Sequence, residues 1–373
     1  MKAKKVILSI LAIIGAIILF CVLVLGGYVI YLCCQYYRIA DNQEVSVTNN
    51  QSNLLSIAQE YTISSYNIGF GAYEHDFSFF MDSGEFKDGT KVTGTGSRAR
   101  SKEVVQTNTN GAISTIKAIN PDFAFFQEVD TSSDRSYFVN QYEALQDAFE
   151  GYSSSHTVNF HSGFLCYPIT SPHGAVNSGI ATLSKYKIDS VVRKSFPIDE
   201  SFPTKFFDLD RCFSVNKLPI NGTDKQLVLI NLHMSAYDEG GVYRAKQLKL
   251  LLDYMSQEYE NGNYVIAGGD WNHDIANSIE YFETDMLVPE WVFQIKSDEL
   301  PEHFSFASSK NAATCRSTDI PYTLNESNKM ANYSVVLDGF VVSDNVLVSL
   351  VQNIDTDFQY SDHNPATMKF MLI

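Results

Sequence analysis

Short, largely apolar runs bounded by polar or turn-forming residues recur along this chain at 61–67, 122–128, 179–183, 189–196, 212–218, 226–233, 264–268, 334–342, 346–351 and 367–372. They are rich in β-branched and aromatic residues, so each predicts a strand. Helical periodicity is confined to two stretches. Between residues 101 and 120, Val105, Ala112, Ile113, Ile116 and Ile119 share a face, and Pro121 closes the run. Between 242 and 259 a second stripe of Ala245, Leu248, Leu251, Leu252 and Met255 ends at Asn261 and Gly262. Many strands with few helices predict a sheet-rich α/β or α+β body. Residues 69–100 follow neither period, and a loop of that length inside a compact domain is usually functional.

The first 34 residues are of another kind. No charge occurs from residue 6 to residue 34, a run longer than the roughly 20 residues that cross a bilayer as a helix. It also exceeds the apolar core of a cleaved signal, about 7–15 residues. Lys2, Lys4 and Lys5 precede it and only Arg38 follows closely, so the positive-inside rule keeps the N-terminus in the cytoplasm. The expected organisation is a cytoplasmic N-terminus (1–5), a transmembrane anchor (6–34), a polar tether (35–59) and one domain outside the cytoplasm (60–373). No second linker, repeat or low-complexity block divides that domain.

Composition narrows the function. The 373 residues carry 27 Lys+Arg against 43 Asp+Glu, a formal charge of -16. A basic coat that binds nucleic acid passively is therefore excluded. Of six cysteines, three (Cys21, Cys33, Cys34) lie in or beside the anchor. Cys166, Cys212 and Cys315 leave room for one disulfide but no framework, and no Cys/His spacing suggests structural zinc.

The chemistry collects at strand ends. Predicted strands stop at or next to Asn67, Glu128, His233, Asp270 (with Asn272 just beyond) and Asp338, and Asp362-His363 precedes the last strand. If these ends share one edge of packed sheets, carboxylates and imidazoles converge there, and crowded carboxylates stay ionised only beside a cation. Oxygen donors without thiols favour Mg²⁺ or Mn²⁺, and Ca²⁺ less, over zinc.

The ordered motifs SYNIGFG, FFQEVD, NSGIATLSK, DLDRC, INLHMSA, GGDWNHD, VLDGFVVS and YSDHNP resemble the metal-dependent endonuclease/exonuclease/phosphatase superfamily, which includes pancreatic-type deoxyribonuclease and neutral sphingomyelinases. The resemblance spans about residues 60–373. It implies a four-layer sandwich of two mixed β-sheets flanked by helices, with the site at one edge. It also implies roles. Glu128 looks like the principal Mg²⁺ ligand, with Asn67 and Asp362 on the metal side. Asp270 would orient or deprotonate the attacking water, and Asn272 would stabilise the pentacovalent phosphorus. His363 would hydrogen-bond the phosphate, oriented by Asp338. His233 matches the second histidine of the deoxyribonuclease and sphingomyelinase branches, and Arg211 a phosphate-binding arginine. Asn177, Arg98, Arg100, Arg316 and Tyr322 are further candidates for substrate contact.

The expectation is a Mg²⁺-dependent hydrolase of phosphodiesters, tethered to the cell membrane and acting as a monomer with no obligate protein partner. An extracytoplasmic nuclease comes first. A sphingomyelinase-like phosphodiesterase acting on lipid head groups, or a phosphomonoesterase, is the alternative, for which the phenylalanine-rich loop 77–86 speaks. A catalytically dead scaffold is the third reading, and it conflicts with a complete set of site residues.

Overall fold

Most of the predicted strands are buried on both faces, as their largely apolar sequences require, and they assemble two sheets. The computed structural model describes residues 2–236, 238 and 241–373. One six-stranded sheet runs, edge to edge, Val346–Asn353, Ala366–Leu372, Glu60–Asn67, Phe123–Asp130, Gly174–Ser184 and Ser153–Leu165. The seven-stranded sheet runs Gln43–Glu44, Ser190–Ser195, Cys212–Pro219, Gln226–His233, Tyr264–Asp270, Asp338–Ser343 and Phe304–Ala307. Each contains a single parallel pair, Glu60–Asn67 with Phe123–Asp130 in one and Gln226–His233 with Tyr264–Asp270 in the other. Parallel neighbours require a crossover. The helices Lys102–Ile119 and Val242–Glu260 supply the two crossovers.

The sheets face each other across Tyr61, Ile63, Phe125, Leu229, Ile266, Phe340 and Phe370. Ile113 and Ile116 of the first helix cover the outer face of one sheet, against Tyr66, Ala124 and Phe126. Leu251, Leu252 and Met255 of the second cover the other, against Val228, Ile230 and Val265. The result is the four-layer sandwich expected from the sequence. The first helix starts where Ser101 Oγ accepts the amide of Val104 and stops at Asn120 in the left-handed conformation.

Several elements differ from the periodicity reading, among them the unpredicted helix Gln141–Ala148 and strand Phe304–Ala307. The longest strand, Ser153–Leu165, went unseen because its inward positions are largely Ser, Thr and Asn rather than apolar. The run 334–342 is broken between Ser334–Val335 and Asp338–Ser343, where Thr314 Oγ1 accepts the amides of Leu337 and Asp338. The segment expected as a polar tether is laid down on the domain. Gln43–Glu44 pairs with Ser190–Ser195, Thr48 bridges Ser154, and Leu55 is buried between the sheets with Val45 and Val47 against the same core. Those three apolar residues, widely spaced in a polar stretch, are enough to fasten it.

The N-terminal helix Lys2–Gln35 contains one stretch, Ala3–Gln35, long and apolar enough to cross a membrane, with a mean hydropathy of 3.2 and its most apolar window wholly unburied. Its last turns pack on the domain. Leu32, with Tyr28 and Tyr36, joins Phe160, Leu165, Val176 and Phe206, and Arg38 just beyond the helix pairs with Asp210 at 3.0 Å and Glu200 at 2.8 Å. All six cysteines are free, so the disulfide left open by the sequence is not formed.

Candidate active site

Because each sheet has its parallel pair in register, the two pairs end at one edge. His233 stands beside Asp270, Asp270 beside Asp338, and Asn67 beside Gln127. Behind this edge the interior between the sheets is polar: Gln127 Nε2 donates to Asn231 Oδ1 at 2.8 Å, and Asn231 Nδ2 to the carbonyl of Ala181 at 2.9 Å. These bonds cross from sheet to sheet and fix the two halves of the site relative to each other.

Glu128 owes its place to a bulge. Pairing with Gly174–Ser184 slips between Phe126 and Val129, and Glu128 takes a φ of 56°, which a non-glycine residue adopts only under local compulsion. Asn67 Nδ2 donates to Glu128 Oε1 at 3.1 Å and to Asp270 Oδ2 at 2.9 Å, so one amide holds a carboxylate from each sheet. Asp270 Oδ1 accepts the amide of Asn272 at 2.8 Å, while Oδ2 lies 3.4 Å from His233 Nε2 and 3.7 Å from His363 Nε2. His363 Nδ1 is 2.8 Å from Asp338 Oδ2.

The electrostatics separate these groups. Burial raises the Asp270 carboxyl, but the two imidazoles and the hydrogen bonds from Asn272 and Asn67 outweigh it and hold it below its ordinary range. Burial would discharge His363, yet Asp338 and Asp270 keep it charged well above its ordinary value. Asp338 is pushed up to about 6 by burial, against the pull of His363. At neutral pH the proton of this pair therefore sits on the ring. His233 is the opposite case, lowered to about 3 by burial and the Arg211 charge. One imidazole is a cation and the other is neutral.

Glu128 and Asp362 are half-buried and open to the cavity. Burial raises both, Asp362 raises Glu128 further, and Arg135 and Arg316 offset only part. Two adjacent carboxylates with incomplete compensation fit a hard divalent cation. Asp270, Asp338 and His363 also bring donor atoms within 4.8 Å of one another. In that group Asp338 and the charged ring already satisfy each other, and an imidazolium is a poor ligand.

Glu128, Asp362, Asp270 and the two histidines open into one cavity of about 670 Å³, while Asn67 and Asp338 stand behind its wall. Arg211 and Arg316, both buried, line it with Glu128, His233, Asp270, Asn272, Asp362 and His363. Four expected residues lie elsewhere. Asn177 is spent on strand contacts with Thr131 and Ser133, and its neighbour Ser178 faces the cavity instead, since successive strand residues point to opposite faces. Arg98 stacks on Tyr137 at 4.4 Å in a separate cleft. Arg100 pairs with Glu74 and Asp76 at the surface. Tyr322 stacks on His75 and donates to Asp357.

Residues not singled out from the sequence take their place. Arg135 lines the cavity and grips Asp130 with two bonds, of 3.0 and 2.8 Å. Asn159 sits in the bulge between Val158 and Phe160, lines the cavity, and has an Nδ2 with no hydrogen-bond partner. An acid two residues beyond Glu128 and a polar residue amid a strand were the available signals. Asp274, beside His273, organises the following loop by accepting the amides of Ala276, Ser278 and Ile279.

The sequence matches the Endonuclease/Exonuclease/phosphatase family over residues 65–363. The chain belongs to that family. Members of the endonuclease/exonuclease/phosphatase family are hydrolases of phosphoester bonds, and this chain is a phosphoesterase of the family. No curated protein sequence matches it. Its fold is that of solved structures of low identity. One is an endonuclease/exonuclease/phosphatase from Beutenbergia cavernae DSM 12333 (15% identity, TM-score 0.54, covering 84% of this chain and 72% of that one). Another is D. rerio TDP2 complexed with single strand DNA product (15%, 0.50, 84% and 99%). A third is ANGEL2, a 2',3'-cyclic phosphatase (14%, 0.51, 88% and 99%).

Proposed function

We propose that this phosphoesterase is a Mg²⁺-dependent hydrolase of phosphodiesters, anchored by its N-terminal helix Lys2–Gln35 with the domain outside the cytoplasm. The observation that carries the reading is Asp270, an ionised carboxylate held between two imidazoles and an amide at the rim of an uncompensated carboxylate pair. A cation on Glu128 and Asp362, with Asn67 holding Glu128 in place through its Nδ2 while its Oδ1 accepts the Gly69 amide at 3.0 Å, would neutralise phosphate charge and polarise the ester.

The chain's own residues do the rest. Asp270 accepts a hydrogen bond from water and takes its proton as the oxygen attacks phosphorus. The His363 imidazolium donates from Nε2 to a phosphoryl oxygen, its Nδ1–H held by Asp338. Asn272 gives one N–H to the carbonyl of Met234 at 2.8 Å and keeps the other for the developing charge. His233 is neutral in the free site, and the negative charge of a bound phosphate raises its proton affinity, so that it can protonate the leaving oxygen.

The nuclease expected from the sequence is the second reading, favoured by Arg135, Arg211 and Arg316 in the cavity wall. The reaction type is tested by offering the full-length chain bis(p-nitrophenyl) phosphate and p-nitrophenyl phosphate in Mg²⁺. Faster turnover of the diester supports the proposal, and a clear preference for the monoester contradicts it. Sidedness is tested by protease treatment of intact cells, which should remove the domain. A domain cut only after lysis would refute the placement.

A further inference from the structure

The cavity has two ends of different chemistry. Beyond the carboxylates and imidazoles its wall is made mainly by Phe70, Phe79, Phe80, Phe160, Leu165 and Leu209, with Arg135 lying over the Phe70 ring at 3.9 Å where the two ends meet. Three of these residues have a second set of neighbours. Phe160, Leu165 and Leu209 also belong to the cluster that receives Tyr28, Leu32 and Tyr36 at the end of the N-terminal helix. One apolar layer thus runs without interruption from the membrane-length helix to the active-site cavity.

The junction is rigid. Tyr28 Oη donates to the carbonyl of Phe164 at 3.1 Å and Tyr31 Oη accepts the amide of the same residue at 2.9 Å, while Arg38 is clamped by Asp210 and Glu200. A helix of 33 residues rises about 50 Å against a hydrocarbon core of about 30 Å, so its final turns reach the interface, the depth at which tyrosines settle. Around the cavity mouth on this side Tyr167 is 62% exposed, Met81 49% and Phe207 43%, and all three line the cavity. Exposed apolar side chains at that height face lipid rather than water.

We infer that the cavity takes a membrane lipid, its phosphodiester at the carboxylate and imidazole end and an acyl chain along the apolar wall, delivered from the bilayer that holds the helix. The inference rests on the phosphodiesterase reading above and names its substrate class. The chemistry is hydrolysis: a bond forms between water oxygen and phosphorus, one phosphorus–oxygen ester bond breaks, and the leaving alkoxide receives a proton. No other reactant is needed.

The test uses the full-length chain in mixed micelles with Mg²⁺, offered bis(p-nitrophenyl) phosphate, vesicles of phosphatidylcholine and sphingomyelin, and single-stranded DNA in parallel. Lipid should be cleaved, read as a water-soluble phosphoryl head group or a lipid phosphomonoester. For soluble short-chain phosphatidylcholines, lengthening the acyl chains from four to seven carbons should raise kcat/KM by at least about tenfold. Tyr167→Ser and Phe207→Ser, both at exposed positions that folding tolerates, should lower lipid kcat/KM by about tenfold or more relative to kcat/KM on the small diester. Turnover of the small diester with lipid left intact, or with no dependence on chain length, overturns the inference while the phosphodiesterase reading stands. DNA cleavage in that case would make the nuclease correct. Equal loss on both substrates in the wall variants removes the wall's role in recognition. If the small diester is also untouched, the phosphodiesterase reading fails and the inference with it.

Discussion

The polar and apolar ends of the cavity are built in different ways. At the polar end the reactive groups gather where strands end, with His233, Asp270 and Asp338 in register across one sheet, Glu128 placed by a bulge and His363 by the turn before the last strand, and the amide of Asn67 ties one sheet's carboxylate to the other's. At the apolar end the wall comes mostly from loops, including the segments around Phe79 and Leu209, fastened to a helix outside the sandwich. The sandwich supplies rigid chemistry, and under the lipid proposal the loops and the N-terminal helix choose what reaches it.

The comparison is broken most severely at the polar end. Asp270→Asn and His363→Ala should each lower turnover of any substrate by on the order of 10²–10⁴, with the domain still folded by circular dichroism. Each variant loses one function, proton acceptance from water or charge opposite the phosphate, and neither empties a hydrophobic layer. Activity near that of the unaltered chain in either variant would remove the residue from the mechanism.

A second substitution probes the joint between the ends. Gly69 has a φ of 52°, and a Cβ there would lie 2.4 Å from the Tyr73 ring and 3.1 Å from Asp362 Oδ1. Gly69→Ala should cost about 1–3 kcal/mol in stability, seen in denaturant unfolding, and should weaken metal-dependent activity because Asp362 must shift. An unchanged midpoint and an unchanged Mg²⁺ dependence would show that the two ends are not coupled through this turn.

The smallest effect belongs to the apolar end. His173, in the cavity wall, donates from Nδ1 to the carbonyl of Ser97 and is lowered to about 4 by burial and by the Arg135 charge. A neutral buried ring means that the unfolded chain binds the extra proton between pH 6.5 and about 4. Stability is therefore lost as pH falls below 6.5, by about 2 kcal/mol between pH 7 and 5 for this one residue. His273, lowered to about 4 by burial, acts with the same sign. Unfolding midpoints across this range should decline less steeply in His173→Gln, and an identical slope would contradict the assignment.

The same division explains what could be read from the sequence. Strand ends such as Asn67, Glu128, His233 and Asp270 were legible because a largely apolar run stops at a polar residue, and the order of those residues carries the family resemblance. Asn177 lies one strand position from Ser178, which faces the cavity, and the sequence around them, with a polar residue at both positions, does not say which one turns inward. Arg98, Arg100 and Tyr322 were assigned from loops, whose course depends on contacts distant in sequence. Residues 35–59 read as a tether because the apolar residues that dock them are few. The continuity of Leu32 with Phe160 and Leu209 joins parts of the chain more than a hundred residues apart, and only the fold reveals it.

The central claim is that the carboxylates at the strand ends form a cation-dependent phosphoesterase centre, and the most direct measurement is a Mg²⁺ titration of metal-depleted full-length chain with bis(p-nitrophenyl) phosphate as substrate, alongside Glu128→Gln. The account predicts no turnover in EDTA, saturable activation of the unaltered chain, and an activation curve for Glu128→Gln displaced to at least about tenfold higher Mg²⁺. Full activity in EDTA, or identical activation curves for the two proteins, would contradict it.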